Sequence, residues 1–78
     1  MHYQEIINMI KARRAALQVT QEDVAKLSGV SLRTIKQIEA GKGNPTLLSI
    51  QKIADVLGME VCLKVKTPKL NETGENTF

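Results

Sequence analysis

The sequence predicts an all-α fold of four helices, followed by one short β-strand and a polar tail. Apolar residues recur at steps of three and four positions through the first 58 residues, which is the period of an amphipathic helix. Serine or threonine residues stand where helices can begin, and glycines stand where helices can end. The period then changes to alternation over residues 59–66, which is typical of a half-buried strand.

The first two helices are delimited by local signals. Helix 1 is predicted over residues 3–17, where isoleucines, arginines and a leucine repeat at helical spacing. Helix 2 begins after Thr20, whose hydroxyl can accept from the backbone N–H of Asp23 as in a capping box. Gly29 ends this short helix, because glycine readily takes the left-handed conformation that follows a helix.

The next two helices carry similar signals. Ser31 is expected to cap a helix over about residues 32–39, and Gly41 closes it. A loop rich in glycine, asparagine and proline follows. Thr46 then caps a fourth helix, which Gly58 stops.

The strand predicted over residues 59–66 presents four apolar residues on one face: Met59, Val61, Leu63 and Val65. A single strand leaves its backbone groups unpaired, so we expect it to pair with the same strand of a second copy across a two-fold axis. Pairing with residues 1–5, or an unpaired extended segment, is the alternative. The chain thus divides into a helical domain (1–58), a dimerisation strand (59–66) and a tail (67–78) whose polar composition predicts disorder.

Composition excludes several classes of function. The chain has 78 residues and a net charge of +3, enough for one small basic domain. One cysteine and one histidine provide neither an internal disulfide nor a zinc site, and two aromatic residues are too few for a platform that binds single-stranded nucleic acid. There is no glycine-rich phosphate loop and no transmembrane or signal segment. We therefore expect no enzyme, metal or cofactor, no membrane partner, and a cytoplasmic location.

Residues 21–40 predict two helices that cross at a tight turn. Such a motif needs a small residue at the crossing, a glycine able to take positive φ, and apolar residues that fix the second helix. The residues that meet these needs are Ala25, Gly29, Val30, Ile35 and Ile38.

This pattern resembles the lambda-repressor/Cro-like (Xre) family of helix-turn-helix DNA-binding proteins. The matching runs are TQEDVA at 20–25, SGVS at 28–31, TIKQIEAGK at 34–42 and NPT at 44–46. The resemblance covers about residues 5–58. Ser28 departs from the pattern, since many members carry a larger apolar residue there.

The resemblance implies that the second helix of the motif lies in the major groove of double-stranded DNA. The residues that it places against bases are Ser31, Leu32, Arg33, Lys36 and Gln37. Arg33 is the strongest candidate for specificity, because its guanidinium can donate twice to guanine. The residues that it places near phosphates are Thr20, Gln21, Thr34, Lys42 and Asn44. In similar proteins an arginine of helix 1 pairs with a glutamate that ends the recognition helix, which predicts a salt bridge between Arg14 and Glu39.

An Xre domain followed by a short strand also resembles the HipB-type antitoxins, which dimerise through such strands and bind a HipA-type kinase toxin. The resemblance implies a dimeric repressor at a palindromic operator in a prokaryote or phage, associated with the nucleoid. Three functions remain open. They are an antitoxin that represses its own operon, a stand-alone repressor without a toxin, and a protein-interaction adaptor that has lost DNA binding.

Overall fold

The computed structural model describes residues 3–65 and, beyond them, the backbone of residues 69–70 and 76–77. The four helices are α1 (Tyr3–Leu17), α2 (Gln21–Ser28), α3 (Leu32–Glu39) and α4 (Leu47–Val56). The predicted all-α, four-helix class is confirmed. None of the described helices is long and apolar enough to span a membrane.

The helix caps explain why α2 is short and well delimited. The hydroxyl of Thr20 accepts from the backbone N–H of Asp23 at 3.0 Å, and the Asp23 carboxylate accepts from the N–H of Thr20 at 3.0 Å. These hydrogen bonds hold the pKa of Asp23 below its ordinary value. At the other end Gly29 has φ +77°, and its N–H donates to the Ala25 carbonyl. The capping box and the glycine stop are both as predicted.

The core lies where the four helices meet. Its buried side chains come from every helix and from the turns between them: Ile7, Ile10, Val24, Val30, Ile35, Ile38, Ile50, Ile53, Ala54 and Leu57. In contrast, Leu47 and Leu48, which the apolar pattern assigns to helix 4, are 62 % and 58 % exposed. They occupy the first turn of α4, ahead of the residues that enter the core.

Residues 59–65 follow the end of α4 without regular secondary structure. The strand predicted here is therefore not formed within the single chain, because a strand exists only through hydrogen bonds to a neighbour. Pairing with the N-terminal segment is ruled out for residues 3–5, which lie in the first turn of α1. Lys66 lies outside the described residues.

Two very short strands lie in the C-terminal tail. Strand β1 (Lys69–Leu70) pairs antiparallel with β2 (Asn76–Thr77), with Lys69 opposite Thr77 and Leu70 opposite Asn76. The polar composition of this segment predicts disorder and did not indicate the pairing. The other residues of the tail lie outside the described part of the chain. The prediction of disorder mainly concerns these residues.

Candidate nucleic-acid interface

Helices α2 and α3 form a helix-turn-helix around Gly29. Val24, Ile35 and Ile38 are almost fully buried, so the two helices are fixed against each other through their apolar faces. Ser28, which departs from the family pattern, accepts from the backbone N–H of Val30 at 3.1 Å. A serine here therefore satisfies a backbone donor within the turn instead of adding apolar packing.

The outer face of α3 carries the residues predicted to contact bases. Arg33, Lys36 and Gln37 are exposed, and Leu32 is half-buried. All four line one shallow depression, which Lys42 of the following loop also borders. Two long cations and an amide thus project from one face of a helix whose opposite face is in the core.

Ser31 and Thr34 are engaged with each other at the start of α3. The Ser31 hydroxyl caps the helix by accepting from the N–H of Thr34 at 3.1 Å, and it donates to the Thr34 hydroxyl at 2.9 Å. With its proton donated to Thr34, the Ser31 hydroxyl keeps one lone pair that can accept a further hydrogen bond.

The loop between α3 and α4 brings together three of the residues predicted to contact phosphate. Thr34, Lys42 and Asn44 line a second depression, together with the first turn of α4. Gly41 and Gly43 have φ of +74° and +75°, so the loop turns twice through left-handed backbone. The backbone N–H groups at a helix start favour anions, which suits a surface that meets phosphate.

The other two predicted phosphate residues lie at the start of α2. Thr20 is exposed and its hydroxyl oxygen already serves the helix cap, whereas Gln21 is half-buried. Glu22 and Asp23 are exposed in the same first turn. These two carboxylates lower the attraction for phosphate that a helix start otherwise provides.

Arg14 and Glu39 form a bidentate ion pair that joins α1 to the last residue of α3. Arg14 Nε donates to Glu39 Oε2 at 2.8 Å and Nη2 donates to Oε1 at 2.7 Å. Arg14 Nη1 also donates to the Val19 carbonyl at 3.0 Å. The hydrogen bonds to Glu39 raise the pKa of the Arg14 guanidinium above its ordinary value. This pair holds the C-terminal end of α3 in place.

Arg13 has a structural contact that the sequence did not suggest. Its Nε donates to the Leu57 carbonyl at 2.9 Å, 44 positions away, at the end of α4. A cation at this place also complements the negative end of the helix dipole. Lys11 of the same helix is exposed, whereas Arg13 is half-buried. No local signal distinguishes the two residues.

A helix-turn-helix with buried inner faces and an exposed basic face on its second helix is typical of a DNA-binding domain. Comparison with known proteins agrees: residues 10–63 match the family described as helix-turn-helix. The chain belongs to this family, and the resemblance to lambda-repressor/Cro-like proteins is confirmed at this level.

Its relatives are named as transcriptional regulators. It is 46 % identical over 54 residues to an uncharacterised HTH-type transcriptional regulator of Methanocaldococcus jannaschii, covering 69 % of this chain and 82 % of the relative. A similarly named protein of Archaeoglobus fulgidus is 44 % identical over 52 residues, covering 67 % and 73 %. The cryptic phage CTXphi transcriptional repressor RstR of Vibrio cholerae is 39 % identical over 49 residues, covering 63 % of this chain and 44 % of that protein. The protein is a DNA-binding transcriptional regulator, a class that acts by binding and not by catalysis.

Proposed function

We propose that the protein is a repressor that binds a palindromic operator as a homodimer, with α3 in the major groove of each half-site. The observation that carries this proposal is the exposed basic face of α3, held rigidly by the buried apolar face and by the Arg14–Glu39 pair. A fixed helix presents its side chains to base edges in one register, which is what sequence reading requires.

The residue roles follow from exposure and position. Arg33, Lys36 and Gln37 read bases, with Arg33 donating twice to a guanine. Leu32 contacts a thymine methyl, and Ser31 completes the base-reading set at the helix start. Beside the loop between α3 and α4, phosphate is bound by Thr34, Lys42 and Asn44. At the start of α2 it is bound by Thr20 and Gln21. The phosphate contacts position the protein and make its affinity fall as salt increases.

The homodimer is supported by the apolar side chains that residues 59–65 leave in solvent. Leu63 is 96 % exposed and Val65 is 90 % exposed, whereas Met59 and Val61 pack partly against the core. A segment without regular secondary structure that exposes apolar side chains favours pairing with another strand. The same segment of a second copy satisfies both needs, as a two-fold symmetric pair.

The finer function that we propose is that of a HipB-like antitoxin, which represses its own operon and binds a HipA-type kinase toxin. Its support is the apolar alternation of residues 59–66 directly after an Xre-type domain. The second candidate is a stand-alone repressor. It is favoured by the similarity to RstR, which is named as a phage transcriptional repressor.

A gel shift with the DNA upstream of its own gene tests the proposal. We expect a shift that weakens steeply as salt rises. The product of the neighbouring gene should supershift the complex if the protein is an antitoxin and leave it unchanged if it is a stand-alone repressor. Absence of any shift at low salt would contradict DNA binding and favour an adaptor.

Two substitutions separate base reading from a general loss of charge. Arg33→Ala should weaken binding to the operator by about 1–3 kcal/mol and relax the preference at one base pair. Lys11→Ala removes the same charge from an exposed site on α1, outside the proposed surface. An Arg33 variant that keeps the full base preference would remove this residue from the readout.

A further inference from the structure

An apolar groove of about 240 Å³ lies between α1, α4 and the first residues after α4. Its lining is mainly aliphatic and includes two methionines: Ile6, Met9, Ile10, Ile50, Ala54, Met59 and Val61. Met9 is 59 % exposed although it belongs to this lining. The groove thus offers apolar surface on the side of α1 that the DNA-binding face does not use.

The charged residues of this lining are both acidic. Glu5 of α1 and Glu60 stand at the groove, and both are exposed. Among the described residues no lysine or arginine lines it, although the net charge of the chain is +3. An occupant that combines apolar side chains with a positive charge is therefore favoured.

The segment 63–65 has this chemistry. Leu63 and Val65 are the most exposed large apolar side chains among the described residues, and Lys64 lies between them. Leu63 and Val65 do not enter the groove of their own chain. Met59 and Val61 form part of the wall of that groove, and the chain has moved away from it by Leu63.

We propose that the groove of each protomer receives Leu63 and Val65 of a second copy, with Lys64 of that copy beside Glu5. This inference rests on the proposed homodimer and names a new receiving surface, the Glu5 and Met9 side of α1. The exchange is reciprocal, so each of two identical grooves holds the arm of the other copy and the interface closes with two-fold symmetry. This arm exchange covers Met9, which is 59 % exposed in the single chain.

A charge swap tests this contact directly. Glu5→Lys and Lys64→Glu should each raise the dimer dissociation constant about tenfold, because each turns two symmetric attractions into repulsions. The double variant should return to within about threefold of the natural chain, since the pairs are restored with reversed sign. The measurement is sedimentation equilibrium of the full chain without DNA, at low and at high salt. The single-variant effects should shrink at high salt.

Matched controls keep the test independent of folding and of total charge. Glu22→Lys and Lys26→Glu make the same charge changes at exposed positions of α2, and they should leave dimerisation unchanged. Leu63→Ser should weaken dimerisation about tenfold or more while leaving the helical signal intact, because Leu63 makes almost no contact within its own chain.

The outcomes separate the two levels of the proposal. A dimer in which the double variant is no better than the single variants overturns the groove contact and leaves the proposed homodimer standing. A natural chain that stays monomeric at every concentration overturns both, and leaves the groove to a different protein. Operator binding is measured separately by the gel shift.

Discussion

Removing Arg14 should destabilise the protein more than removing Glu39, because the two partners are buried to different extents. The Arg14 side chain is 21 % exposed and the Glu39 side chain only 5 %. Arg14→Ala leaves this carboxylate without either of its guanidinium hydrogen bonds, at 2.7 and 2.8 Å. Orphaning one member of a buried pair costs about 3–5 kcal/mol. Since water reaches one side of this pair, we expect a loss at the lower end, about 3 kcal/mol.

Glu39→Ala removes the more buried partner and leaves the more exposed one. The guanidinium of Arg14 keeps its hydrogen bond to the Val19 carbonyl at 3.0 Å, and its exposed part can bind water. We therefore expect a loss of about 1.5–2 kcal/mol, at the lower end of the range for removing a hydrogen bond to a charged group. The double variant should cost less than the sum of the two, because no buried charge is left without a partner.

Urea unfolding followed by circular dichroism measures all three variants. Lys11→Ala provides the control, since it removes an exposed cation from the same helix and should change the free energy of unfolding by less than about 0.5 kcal/mol. Equal losses for the two single variants would refute the reasoning from unequal burial. Strictly additive losses would show that the pair does not act as a unit.

Three further predictions concern single positions. Gln18 has φ +57°, so Gln18→Gly should raise the free energy of unfolding by up to about 1 kcal/mol, and an unchanged melting temperature would contradict a strained position. The pKa of Asp23 is lowered by Thr20, so its stabilising effect is present above the ordinary value of 3.8 and is lost as pH falls through the lower folded-state pKa. Asp23→Asn should flatten the stability curve in that acid range, measured by thermal unfolding at a series of pH values. Lys42→Ala should weaken binding to specific and random DNA alike and reduce the salt slope by about one unit, and a loss confined to the operator would contradict a phosphate contact.

The helix bounds were predictable because their signals are local. Thr20, Ser31 and Thr46 each cap a helix through a backbone N–H three residues along the chain. Gly29 takes the positive φ that its position after α2 requires. Such interactions depend on neighbouring residues alone, so a sequence displays them without knowledge of the tertiary fold.

The features that the sequence did not predict depend on contacts between distant parts of the chain. The bond from Arg13 to the Leu57 carbonyl depends on how α1 crosses the end of α4, which no spacing in the sequence encodes. The exposure of Leu48 depends on which turns of α4 have a neighbour, and apolar periodicity does not report this. Residues 59–66 show the alternation of a strand, but alternation does not identify the partner on which a strand depends.

Two adjacent arginines on α1 contact the ends of two other helices, α3 and α4. Because consecutive helical residues point about 100° apart, Arg13 and Arg14 contact different neighbours. Arg14 holds the end of α3 through Glu39, and Arg13 holds the end of α4, from which residues 59–65 leave. In a dimeric repressor the separation of the two recognition helices must match the half-site spacing. One turn of α1 thus contacts both the end of α3 and the end of α4, from which the segment proposed to join the two copies leaves.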